Sequence, residues 1–227
     1  GLGRGGLTTK EEAMNNDYCD ITLILDKSGS MGPLQKDTIG GVNRFLSDQR
    51  RLPGKCLISI VQFDTTYTSV YLGRPIADAS DLTEATYQPG GSTALLDAVG
   101  WTIDEVGSRI KAISEQERPG KALIVIVTDG EENSSHQRSK DQVKQAIERQ
   151  QKQYKWEFVF MGANVDAFAE AGGLGIFAAN AFQTHPTQDS VMHAYANLSS
   201  NAAAYRGGTA QTMAWSGKQQ DEQNKTK

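Results

Sequence analysis

The sequence predicts an α/β fold: a doubly wound, mostly parallel central sheet with one antiparallel edge strand and helices on both faces. Three observations carry this. Short apolar, β-branched runs recur at 21–25 (ITLIL), 56–63 (CLISIVQF), 123–127 (LIVIV) and 156–161 (WEFVFM), the lengths expected of buried strands. Most gaps between them hold a helical apolar stripe, so strand and helix alternate as in a parallel sheet covered on both sides. Only Asp64, Thr65 and Thr66 separate 56–63 from a further strand at 67–72 (YTSVYL). So short a link holds no crossover helix, and these two strands should pair antiparallel.

The helices follow in order. Ile39, Val42, Phe45 and Leu46 share one face of a helix that stops at Pro53-Gly54. Leu96, Val99, Ile103, Val106, Ile110 and Ile113 step by three and four residues and make the strongest stripe. A polar loop after 123–127 leads to a helix at about 140–150. A short helix at 166–171 ends at Gly172-Gly173, a weak strand follows at 176–182, and Val191, Tyr195, Leu198, Ala202 and Tyr205 mark a terminal helix. The expected division is a glycine-rich leader or expression remnant at 1–13, one domain at 14–206, and a polar, disordered tail at 207–227 from which only Trp215 should pack back.

Composition narrows the function. The chain has 227 residues, 27 acidic against 23 basic side chains, and a formal net charge of −4. No apolar run approaches the ~20 residues of a membrane span, so no membrane partner is expected. The densest basic patch, Arg50, Arg51 and Lys55, is broken by Pro53 and Gly54, whereas phosphate-backbone binding needs a basic stripe. Nucleic acid is therefore not an expected partner. Cys19 and Cys56 allow at most one bridge, and no secretory signal is visible, so the expected location is cytoplasmic. His136, His185 and His193 have no spacing that suggests a ligand pair or a proton relay.

In open parallel sheets the functional crevice lies beyond the carboxyl ends of the strands. After 21–25 comes Asp26-Lys27-Ser28-Gly29-Ser30, after 123–127 comes Thr128-Asp129-Gly130, and before the long stripe helix lies Gly90-Gly91-Ser92-Thr93. Two carboxylates and three hydroxyls thus reach one sheet edge, an all-oxygen set suited to a hard divalent cation such as Mg²⁺ or Mn²⁺. If Asp26 and Asp129 act mainly through water, such an ion stays electrophilic towards a carboxylate from a partner.

These three elements, in this order and at these places, resemble the metal-ion-dependent adhesion site (MIDAS) of a von Willebrand factor A domain, over about residues 17–206. The resemblance implies a Rossmann-like fold and a metal site of Asp26, Ser28, Ser30, Thr93 and Asp129, taking Mg²⁺ with Mn²⁺ or Ca²⁺ as alternatives. Ser28 and Ser30 would be direct ligands, Thr93 direct or water-mediated, and Asp26 and Asp129 water-holding. It further implies a non-enzymatic module that binds an Asp or Glu of a protein partner. Stand-alone intracellular members serve as adaptors, with AAA+ ATPases or kinase and phosphatase systems in bacterial or phage-related stress and defence. In the family the last helix, here about 189–205, can move with the metal site. An extracellular adhesion or matrix-binding domain is the alternative reading. A Mg²⁺-dependent phosphoryl-transfer enzyme of the haloacid dehalogenase type is disfavoured, because Ser28 stands where that chemistry needs an aspartic acid.

The neighbouring side chains carry simpler expectations. Lys27 should point away from the metal or towards an acidic partner, Asp64 should form a turn, and Glu131 and Glu132 should be solvated loop charges. Asp97, one helical turn after Thr93, is either a support for this loop or an ordinary helix residue.

Overall fold

The computed structural model describes residues 15–163, 166–216 and 219. The strands are β1 (Tyr18–Asp26), β2 (Lys55–Phe63), β3 (Tyr67–Pro75), β4 (Lys121–Thr128), β5 (Glu157–Ala163) and β6 (Ala181–Thr184). The helices are α1 (Gln35–Arg50), α2 (Leu95–Ala112), α3 (Lys140–Tyr154), α4 (Ala167–Gly173) and α5 (Gln188–Arg206). The strands form one sheet in the order β3-β2-β1-β4-β5-β6. All neighbours are parallel except the β2–β3 pair at the edge, as the three-residue link requires.

Every residue of β1 is buried, and its side chains alternate between two cores. Ile21, Leu23 and Leu25 join Val42, Phe45 and Leu46 of α1 and Tyr195, Leu198 and Ala202 of α5. Ile24 joins Val99, Ile103 and Val106 of α2 and Val143 and Ile147 of α3 on the other side. The helical stripes read from the sequence are the surfaces that cover the sheet. Cys19 and Cys56 are register partners on β1 and β2, both buried and both free thiols. Burial pushes each thiol up, that of Cys56 to about 11, so they act as small core side chains.

Two details differ from the sequence expectation. The last strand begins at Ala181 rather than near 176, because Asn180 turns its amide onto Glu157 Oε2 and the Phe158 carbonyl and the ladder starts only beyond it. Residues 207–216 are also not the free tail that their polarity suggests. Glu157 Oε2 accepts the Met213 N–H at 2.9 Å, Trp215 N–H donates to the Ala179 carbonyl, and the Trp215 ring lies 4.5 Å from that of Phe182. Buried Met213 and Trp215 supply the apolar anchors that outweigh the polar residues around them. The expected leader at 1–13 lies outside the described residues, as does the tail beyond Ser216 apart from Gln219. No helix among the described residues is long and apolar enough to cross a membrane.

The strand order places the functional edge. The chain moves from β1 to β2 on one side and later returns to put β4 on the other side of β1. The carboxyl ends of β1 and β4 therefore flank the point where the winding reverses, the usual position of a ligand crevice in such sheets.

Candidate metal centre

Asp26 ends β1 fully buried, and both carboxylate oxygens are engaged. Oδ1 accepts the Ser28 N–H at 2.7 Å. Oδ2 accepts the hydroxyl of Thr128, the last residue of neighbouring β4, at 2.6 Å. The adjacent strand ends thus fix the carboxylate, and the Ser28 bond bends the chain so that its hydroxyl meets that of Ser30 at 3.1 Å. Ser30 Oγ donates to Asp129 Oδ1 at 2.7 Å. Thr93 arrives from the third loop, and a Cβ placed on Gly130 would lie 3.2 Å from Thr93 Oγ1 and 3.6 Å from Ser30 Oγ. The structure therefore brings Asp26, Ser28, Ser30, Thr93 and Asp129 to one place, with Gly130 leaving the space between the hydroxyls open.

The electrostatics of this cluster are unbalanced. Asp129 Oδ2 is buried and has no hydrogen-bond partner among the described residues. An unpaired buried carboxylate oxygen is costly. Burial holds the Asp129 carboxyl above its ordinary value against the opposing hydrogen bond from Ser30. Asp26 is raised by burial too, with hydrogen bonds from Thr128 and Ser28 opposing and the charge of Asp129 adding to the rise. Two ionisable carboxyls, three hydroxyls and an orphaned oxygen fit a hard cation that would compensate them. No cluster of three or more His, Cys, Asp or Glu suited to a metal occurs among the described residues; the set is hydroxyl-rich.

The supporting loops interlock. Gly90 N–H donates to the Lys27 carbonyl and Gly29 N–H to the Gly91 carbonyl. Gly91 has φ +76°, and a Cβ there would press on Asp64 at 3.2 Å. Tyr87, fully buried, donates its hydroxyl to the Asp26 carbonyl, tying the segment before Thr93 to the end of β1.

At the start of α2 no side chain of the helix's own N-cap supplies a bond; the loop after β4 does so instead. Glu132 Oε2 accepts the Leu96 N–H and Ser135 Oγ accepts the Asp97 N–H. In return the Asp97 carboxylate accepts the N–H groups of His136, Gln137 and Arg138 at 2.9, 3.0 and 2.7 Å. Asn133 Oδ1 accepts from Thr93 N–H. This exchange holds Thr93 against the loop after β4, beside Gly130.

Asp97 is thus a support for the loop, and Glu132 is a long-range helix cap rather than a solvated charge. Tyr87, Thr128 and Asn133 were not singled out in the sequence. Thr128 alone had a signal there, its place beside Asp129 at the end of an apolar strand. Asp64 does form a turn, its Oδ1 accepting from Thr66 N–H and hydroxyl, and its other oxygen takes the ammonium of Lys27. Although burial alone would raise the Asp64 carboxyl, the bonds from Lys27 and Thr66 hold it below the ordinary value.

Residues 20–201 match the family profile of the von Willebrand factor type A domain. The chain belongs to the von Willebrand factor A family. Solved structures share the fold of this von Willebrand factor A domain at low identity. Proximal thread matrix protein 1 from the mussel byssus, with a zinc-occupied MIDAS motif, is 15% identical with a TM-score of 0.59, over 82% of this chain and 46% of that one. The ArnB paralog VWA2 from Sulfolobus acidocaldarius is 17% identical with a TM-score of 0.51, over 80% and 45%. A von Willebrand factor type A protein from Catenulispora acidiphila is 16% identical with a TM-score of 0.50, over 82% and 43%. The chain spans less than half the length of these proteins, and at such identities the likeness shows the fold alone. No curated protein matches it. Von Willebrand factor A domains are protein-interaction modules, generally without enzymatic activity, and their adhesion site takes a divalent metal.

Proposed function

We propose that this von Willebrand factor A domain is a Mg²⁺-dependent protein-interaction module whose complete adhesion site docks an Asp or Glu side chain of a protein partner. The observation that carries this reading is the buried, unpartnered Asp129 Oδ2 beside the hydroxyls of Ser28, Ser30 and Thr93. Ser28, Ser30 and Thr93 would hold the ion through neutral oxygens, and Asp26 and Asp129 would hold its waters and balance its charge. When bound, the ion supplies electrostatic attraction for an incoming carboxylate. Neutral hydroxyls leave the ion's charge under-compensated, which favours an acidic partner. Mn²⁺ and Ca²⁺ are alternative occupants of the same oxygen set.

The site has the features of a binding surface rather than of a phosphoryl-transfer centre. Asp26 is buried with both oxygens engaged, a poor nucleophile, and Ser28 stands where an acid would be needed. We place the domain as an intracellular adaptor, consistent with its two free, buried thiols. An AAA+ ATPase, kinase or phosphatase system is the partner class that the family likeness suggests.

The test is partner capture from source-cell lysate, read by mass spectrometry, with calorimetric Mg²⁺ and Mn²⁺ titration of the same proteins. The wild type should bind the ion and retain a partner that is lost in EDTA and in Ser30→Ala with Asp129→Ala. Identical retention by all baits, or no metal binding by the wild type, would overturn the reading.

A further inference from the structure

A second surface lies at the opposite edge of the sheet. Between α2 and α3 a groove of about 720 Å³ opens over the starts of β4 and β5, within the ~300–1,000 Å³ of ligand-sized clefts. The groove deepens at Gly107, where an added Cβ would meet only the tip of Trp156, at 3.9 Å. A glycine inside a helix costs about 1 kcal/mol relative to alanine, so α2 keeps this notch at the expense of its own stability. Trp156 forms part of the floor, and Tyr154 stands at the rim, 59% exposed.

The lining is cationic. Lys111, Arg118 and Arg149 all border the groove. The Arg118 guanidinium is held by the carbonyls of Ile113 and Lys111. Among the described residues none of the three joins an ion pair. The one carboxylate in the lining, Asp104, is already paired with Arg138. An aromatic floor under three uncompensated cations stands out on a chain of net charge −4.

We propose that this groove docks an acidic peptide segment of a protein partner, one that carries an aromatic or aliphatic side chain among its Asp and Glu residues. The apolar side chain enters the notch at Gly107 against Trp156, and the flanking carboxylates meet Lys111, Arg118 and Arg149. The chain's own ends do not match this chemistry. Residues 1–14 hold Arg4, Lys10, Glu11 and Glu12, with no net charge, and residues 217–227 hold three lysines against Asp221 and Glu222. The surface is independent of the metal centre, which lies at the far end of β4, eight residues or roughly 26 Å away at strand rise.

The test is to pan a displayed random peptide library on the full chain in EDTA, so that the outcome does not depend on the metal reading. The best binder is then made synthetically and followed by fluorescence anisotropy. The binders should be rich in Asp and Glu around an apolar residue. Affinity should fall about tenfold or more in Lys111→Glu with Arg149→Glu, and equally in Gly107→Leu, which fills the notch without reversing charge. Retained far-ultraviolet circular dichroism and an unchanged thermal unfolding midpoint check that both variants are folded.

A library that yields no EDTA-resistant binder, or binders without acidic enrichment, overturns the proposal. So does affinity that survives both variants. Concentration-dependent self-association lost in the same variants would assign the groove to a second copy, and a large gain in affinity on deleting 1–14 would assign it to the chain's own leader. Either result also overturns it.

Discussion

At the scale of single residues, the candidate site is held by groups that never face a partner. Thr128 Oγ1 donates to Asp26 Oδ2 from the neighbouring strand end. Thr128→Val keeps the shape and removes that donor. It should weaken Mn²⁺ binding by roughly tenfold, the usual loss when a group supporting a ligand is removed, and cost about 1–3 kcal/mol for the orphaned oxygen. Unchanged Mn²⁺ affinity in calorimetry would count against the role given to Thr128.

Glu157 gives a pH test. Burial holds its carboxyl above the ordinary value, against the bonds from Met213 N–H and Asn180. The folded state therefore binds its proton more readily than the unfolded chain, and stability falls as pH rises from the unfolded value through the folded one. Glu157→Gln keeps an acceptor and removes the ionisation. Its stability relative to wild type, from urea midpoints, should rise as pH increases above the ordinary glutamate value of about 4.3; a flat difference would remove Glu157 from the account.

At the scale of elements, α2 has no cap of its own and receives one from the loop after β4, while Asp97 at its first turn organises that same loop. Asp97→Ala frees three N–H groups at once. It should cost about 3 kcal/mol, raise amide exchange at 136–138, and weaken metal binding by loosening the loop that holds Thr93. Rapid exchange confined to α2 itself would show that the coupling runs in one direction only.

This part of the site was the least legible in the sequence. Asp26, Ser28, Ser30, Thr93 and Asp129 could be read because each directly follows an apolar strand or precedes a striped helix, positions that the doubly wound order sends to one edge. The role of Glu132 could not, because all its partners but the Ser135 hydroxyl are backbone N–H groups, 36 to two residues away along the chain, which leave no mark in residue type. Lys27 shows the same limit: its pairing with Asp64 depends on a hairpin loop 37 residues on. Alternation of apolar runs specified a mostly parallel sheet and its antiparallel edge. It did not specify where β6 starts, since the Asn180 side chain decides that.

At the scale of the whole molecule, the two cores are locked differently. On one face α1 and α5 approach so closely that a Cβ on Gly41 would fall 2.1 Å from Tyr195 Cδ2. Gly41→Ala must therefore displace α5 or its aromatic ring, and thermal unfolding should show a loss of about 1–3 kcal/mol, partly recovered by Tyr195→Leu. An additive double variant would mean that the two helices are not in the contact described.

On the other face α2 is tied to the start of β1 by the bidentate Arg109–Asp20 pair, at 2.5 and 2.9 Å, so the sheet is gripped near both ends. The amino-terminal end of β4 also gathers the first described residues and the end of α5. Gly120 N–H donates to the Asn15 carbonyl, and the Lys121 ammonium donates to the carbonyls of Tyr205 and Arg206. Asn15 and the end of α5 therefore lie behind the sheet, at the end opposite the edge that carries Asp26 and Asp129. A partner approaching that edge would then meet neither of them, and a bulky label placed on the exposed Asn15 should leave metal affinity in calorimetry unchanged.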